Sequence, residues 1–105
     1  MSVVYEVNLE IDADTADAFR KWLCEGHIQE MLELDGFQSA RLDSCELLGK
    51  ETDKVLLRVQ YTVASREQLE SYFNEGAKKM RSSGIQLFEG KFTAWRRVLE
   101  PQQQF

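Results

Sequence analysis

Two stretches of clear alternation constrain this chain most: Val3 to Ile11 (VVYEVNLEI) and Val55 to Val63 (VLLRVQYTV). In the first, Val3, Tyr5, Val7, Leu9 and Ile11 point one way and Val4, Glu6, Asn8 and Glu10 the other. In the second, Val55, Leu57, Val59, Tyr61 and Val63 oppose Leu56, Arg58, Gln60 and Thr62. A period of two fits only an extended backbone, so each stretch is a strand with one face toward a core. Between them, Asp12 to Asp17 is rich in acidic and capping residues, which open a helix by bonding its free amides and opposing its dipole. The stripe Ala16, Phe19, Leu23, His27, Met31 and Leu34, widened by Trp22 and Ile28, keeps helical spacing until Gly36 supplies a left-handed stop. A helix is expected from about residue 14 to about residue 34.

Phe37 to Leu48 alternates less cleanly, with Ala40 and Leu42 on a core face against Ser39, Arg41 and Asp43. The turn formers Gly49 to Asp53 then reverse the chain into the second clear strand. Ser65 with Gln68 is a capping-box pattern, and Leu69, Phe73, Ala77 and Met80 carry a second helical stripe expected to end near Gly84. Lys78, Lys79 and Arg81 would then sit in its last turns, where cations complement the dipole. Phe88 to Leu99 is the last expected strand, with Phe92, Ala94 and Val98 on one face and Lys91, Thr93, Trp95 and Arg97 on the other. The order βαββαβ with right-handed crossovers gives an α+β, ferredoxin-like domain over residues 1–100: a four-stranded antiparallel sheet with both helices on one face. Residues 101–105, PQQQF, are expected to form a flexible tail.

That architecture leaves one sheet face bare, and its residues are the candidate ligand site: Glu6, Asn8, Arg41, Arg58, Gln60, Trp95 and Arg97. Val4, Leu56, Trp95 and Leu99 would add exposed apolar area there, for which a second copy of the chain is the economical cover. The expected assembly is a homodimer with a small-molecule cavity between paired sheets.

Charge and composition narrow the partners. Thirteen Lys and Arg against eighteen Asp and Glu give a net charge of -5, which disfavours nucleic acid and anionic membranes. No apolar run reaches the roughly 20 residues that span a bilayer, so no membrane partner is expected and the chain reads as cytoplasmic. Cys24 and Cys45 have no CxxC or Cys/His spacing, so neither a disulfide nor a metal site is expected, and two reduced, largely buried thiols are. No pattern for a cofactor occurs.

The segments WLCEGHIQEMLELDGF (Trp22 to Phe37) and YFNEGAKKMRSSGIQLFEGKFTAWRRVL (Tyr72 to Leu99) resemble a small bacterial domain-of-unknown-function family of the dimeric α+β-barrel superfamily. The shared features are Trp22-Leu23, His27-Ile28, Gly36-Phe37 and the close Phe92, Ala94, Arg96, Arg97, Val98, Leu99. The resemblance implies ferredoxin-like protomers pairing sheet to sheet. It also implies distant similarity to cofactor-independent antibiotic-biosynthesis monooxygenases, stress-response barrel proteins and haem-degrading monooxygenases. The haem-degrading pattern asks for an Asn on the first strand, a Trp on the third and a His on the second helix. Asn8 fits, but Arg58 and Gln60 stand where the Trp would be and the second helix has no His.

Two functional readings follow, the first from the residues and the second from what the resemblance implies. The first is a small-molecule-binding homodimer in which the seven residues above line the cavity. The second is a cofactor-independent, monooxygenase-like enzyme acting on a small aromatic or polyketide-like substrate. Its base would be His27 or Tyr61, and Arg58 or Arg97 would stabilise the resulting anion. Against these stand plainer roles. His27 in an apolar stripe fits a packed structural histidine, the arginines can pair with Glu6, Glu10 or Asp43 across strands, and Trp22, Tyr72 and Phe73 fit packing. A third reading, a sheet that binds a different chain, differs from the first in leaving that surface free in the purified protein.

Overall fold

The computed structural model describes residues 1–105. Its strands are β1 (Val3–Ile11), β2 (Phe37–Cys45), β3 (Val55–Val63) and β4 (Phe92–Leu99). They form one antiparallel sheet in the order β2-β3-β1-β4, which is the ferredoxin-like arrangement. The two alternating stretches pair along their whole length, from Val3 opposite Val63 to Ile11 opposite Val55. That register puts every odd-numbered apolar residue of both strands on one side, where helices cover them. Ile11, Val63 and Leu69 are fully buried there, with Tyr5, Phe19, Val59 and Tyr61 almost so.

The first helix runs from Ala16 to Leu32 in three continuous pieces: α1 (Ala16–Trp22), a π-helical turn (Leu23–His27) and α2 (Ile28–Leu32). The periodicity predicts one uniform helix; the π turn is an addition that it did not reveal. Gly36 ends the connection at φ 84°, as its left-handed role requires. Any side chain there would also strike Gln68, whose carbonyl oxygen lies 2.5 Å from the position of a Cβ.

The second helical region departs further from expectation. Ser65 does cap α3 (Arg66–Glu75), accepting from the Gln68 amide at 3.2 Å. The chain then breaks at Gly76 and resumes as α4 (Ala77–Leu87). Gly84 is therefore helix interior and not a stop, because it is the contact point for Trp22, whose ring leaves no room for a Cβ. For the same reason β4 begins at Phe92 instead of Phe88, and Lys78, Lys79 and Arg81 lie in the first half of α4, away from its C-terminal dipole end.

Two expectations about exposure are also corrected. Cys24 and Cys45 are both exposed, Cys24 in the π turn and Cys45 at the end of the edge strand β2. Leu56 is only 8% exposed although it lies on the helix-free face, because the β2–β3 connection borders it. Residues 100–105 follow β4 without regular structure and are exposed.

Candidate functional site

The sheet separates two groups of candidate residues. All seven of the expected ligand-binding set lie on the helix-free face, because they occupy the even register of β1 and β3 and the odd register of β2 and β4. There Glu6, Asn8, Gln60 and Arg97 bond to one another. Glu6 stands between Gln60 on β3 and Arg97 on β4. Its carboxylate accepts from Arg97 Nε at 2.5 Å, Gln60 Nε2 at 2.8 Å and Asn8 Nδ2 at 2.9 Å. The side chain is wholly enclosed. Burial works against the charge, but the donors led by Arg97 outweigh it and hold the Glu6 pKa down to about 2. A second knot joins Asp43 to Arg58 at 2.9 Å and to Arg41 at 3.0 Å. Trp95 lies opposite Asn8 and is 51% exposed. The arginines of this face thus spend their charge on neighbouring carboxylates, a common unit of sheet stabilisation.

His27 and Tyr61 lie on the other side, in the wall of a cavity of about 430 Å³ between the sheet and the helices. Its floor is the odd register of β1 and β3 with the even register of β4, including Tyr5, Tyr61, Ala94 and Arg96. The roof is Trp22 and His27 from the first helix with Arg81, Gly84 and Ile85 from α4. Thirteen of the nineteen lining residues are apolar, and several of these are aromatic. Apolar walls with a few polar groups are typical of small-molecule pockets, and the volume falls within the roughly 300–1,000 Å³ of such sites.

The π turn shapes the roof. In an α-helix, residues five apart diverge around the axis, whereas a π turn carries more residues per turn and returns them toward one side. Trp22 and His27 accordingly stack, with ring centroids 4.3 Å apart and planes 16° from parallel. The Ile28 amide donates to the Leu23 carbonyl, and Gln29 satisfies the Cys24 carbonyl at 2.6 Å. Trp22 in turn lies against Gly84, where a Cβ would come within 2.8 Å of its ring.

The polar groups of the cavity are few. Burial chiefly lowers the His27 pKa, and Arg96 adds to this while Glu30 opposes it, so the imidazole is neutral at pH 7. Tyr61 and Tyr72 are pushed up, principally by burial, and keep their protons. Arg81 Nη2 donates to the Tyr5 hydroxyl at 3.1 Å, and its Nε is buried without a partner. Sequence reasoning missed Arg81, Tyr5 and Tyr72 as site residues. Tyr5 and Tyr72 read as core, which they also are, and Arg81 read as a helix-end cation. No group of three or more His, Cys, Asp or Glu side chains is placed to hold a metal ion. No helix is long and apolar enough to cross a membrane.

Comparison with solved structures identifies the architecture. The ethyl tert-butyl ether d (ethd) family protein of Bacillus halodurans C-125 is 13% identical, with a TM-score of 0.68 over 95% of this chain and 99% of that one. The monooxygenase from the gene ActVA-Orf6 of Streptomyces coelicolor, solved with the ligand nanaomycin D, is 17% identical, with a TM-score of 0.69 over 99% and 90%. A point mutant of SnoaB, a cofactor-independent oxygenase from Streptomyces nogalater, is 10% identical, with a TM-score of 0.66 over 98% and 95%. At these identities the likeness is one of fold. No curated protein matches the sequence. The family described as Domain of unknown function (DUF4286) matches residues 2–102, nearly the whole chain, and the protein belongs to it.

Proposed function

We propose that this domain binds a small planar organic molecule in the cavity between its sheet and its helices. The observation that carries the reading is the cavity itself, about 430 Å³ walled by aromatic and aliphatic side chains with a few inward polar groups. We further propose that the helix-free face is the seam of a homodimer, in which Glu6, Asn8, Arg41, Arg58, Gln60, Trp95 and Arg97 meet their copies. The two free thiols fit a reducing compartment, and the domain is assigned to the cytoplasm on that ground.

Filling the cavity tests the first proposal. Ala94 lies on its floor, and Ala94→Phe puts a ring into the space at a stability cost of about 1–3 kcal/mol. Planar aromatic compounds that raise the melting temperature of the wild type should leave Ala94→Phe unmoved. Ligands still bound by Ala94→Phe but lost in Arg58→Ala would shift the site to a cavity between paired sheets.

A second reading is favoured by His27, the one neutral base on the cavity wall. The domain would act as a cofactor-independent oxygenase, as SnoaB is named, on an electron-rich phenol whose proton the imidazole accepts. Tyr61 holds its own proton too tightly to serve as that base. Dioxygen uptake that depends on such a phenol should disappear in His27→Ala; uptake that survives the change removes His27 from the chemistry.

A further inference from the structure

The chain has seven arginines. Arg20, Arg41, Arg58, Arg66 and Arg97 each pair with a carboxylate. The two that do not, Arg81 and Arg96, are the two on the cavity wall. They come from different elements, α4 and β4, so no single local pattern puts them there. Glu89 is the one carboxylate lining the cavity, and it is exposed and pairs with neither. Glu30 lies near His27 and outside the lining.

Arg81 is the more telling of the two. Its hydrogen bond goes to the Tyr5 hydroxyl, with the Tyr72 hydroxyl also close, and both are neutral groups that offset no charge. Only two buried side-chain nitrogens in the protein lack any partner: Nε of Arg58 and Nε of Arg81. Arg58 has Asp43 to balance it, and Arg81 has nothing. A guanidinium held against apolar walls without a counter-charge is costly, and the cost falls away when an anion arrives. A carboxylate suits the guanidinium fork, since two parallel N–H groups meet two oxygens.

We propose that the ligand of this cavity is a planar aromatic anion, a carboxylate whose ring lies among the aromatic side chains and whose charge is met by Arg81 inside and Arg96 at the mouth. This rests on the cavity being the binding site and adds the charge of what it takes. The walls supply stacking and burial, which any flat apolar molecule would enjoy. The two arginines supply discrimination, because a neutral isostere leaves them as unpaired as before.

Matched pairs of probes separate the two claims: 2-naphthoate against 2-naphthamide, and 9-anthracenecarboxylate against its amide, titrated by tryptophan fluorescence and calorimetry. The carboxylates should bind at least about tenfold tighter than the amides. In Arg81→Gln, with helicity checked by circular dichroism, that preference should collapse to near unity while amide binding is kept. Should Arg81→Gln fail to fold, the exposed Arg96→Gln provides the same test with a partial loss. Equal binding of acid and amide by the wild type would sink the charge assignment and leave the cavity reading standing. A preference undiminished in both variants would sink the roles of Arg81 and Arg96. Binding of no probe in either series would overturn both the charge assignment and the site.

Discussion

At the scale of single residues, the same amino acid type does opposite work on the two faces of one sheet. Arg97 is spent on Glu6, whereas its neighbour Arg96 points to the cavity unpaired. Alternation made that divergence legible, because adjacent strand residues must face opposite ways. What alternation cannot show is which arginine finds a carboxylate, since that depends on cross-strand register. The Glu6 cluster carries a pH signature. Its folded pKa of about 2 lies below the ordinary value of 4.5, so the folded state binds fewer protons than the unfolded chain. The stability from this group is therefore complete above about pH 4.5 and is lost as pH falls through about 2. Glu6→Gln keeps the shape and removes the charge that three donors share. It should cost about 1–3 kcal/mol in urea unfolding at pH 7. It should also flatten the acid limb of the stability profile between those two pH values, and an unchanged limb would show that Glu6 is not what titrates there.

At the scale of elements, the strands were readable from sequence and the helices only in part. A strand declares itself in its own residues, since the period of two is local. A helix can carry an irregularity that its apolar stripe conceals. From Phe19 through Leu23 to Met31 the spacing looks continuous, yet the π turn inserts a residue between them and rotates α2 relative to α1. Gly84 shows the same limit from the other side. A glycine within a helical pattern reads as punctuation, while here it is needed by Trp22, which is 62 positions away in sequence but in contact. The cavity stayed hidden for a related reason, since it exists where small residues such as Gly84 and Ala94 leave space that no single segment describes. The π turn makes its own prediction. Deleting Gly26 should return the segment to α-helical spacing, keep the helix content by circular dichroism and separate His27 from Trp22. The His27 pKa, followed by NMR titration, should then rise toward the ordinary value of 6.5, because burial is the main cause of its depression. A pKa that stays low would mean that neighbours other than the stack enclose the ring.

At the scale of the whole molecule, the two sheet faces divide the labour. The helix side holds the core and the cavity, and the other side holds a self-satisfied polar network with a tryptophan standing on it. Each charge of this network already has an opposite partner, so covering it with a second sheet costs less than burying the same charges bare. Trp95, half exposed beside Asn8 on the edge strand, supplies apolar area that such a cover would bury. In a two-fold arrangement every contact occurs twice, so one unfavourable side chain is repeated across the seam. Trp95→Glu adds two negative charges close to the paired Glu6 clusters, where like charges repel and the lost ring no longer contributes burial. Light scattering on purified wild type at micromolar concentration should report twice the chain mass of 12.2 kDa, and Trp95→Glu should report 12.2 kDa with unchanged circular dichroism. The cavity of each chain is built without the seam, so the monomeric variant should still bind a cavity ligand. A wild type that scatters as a single chain would remove the dimer while leaving the pocket behind the helices intact.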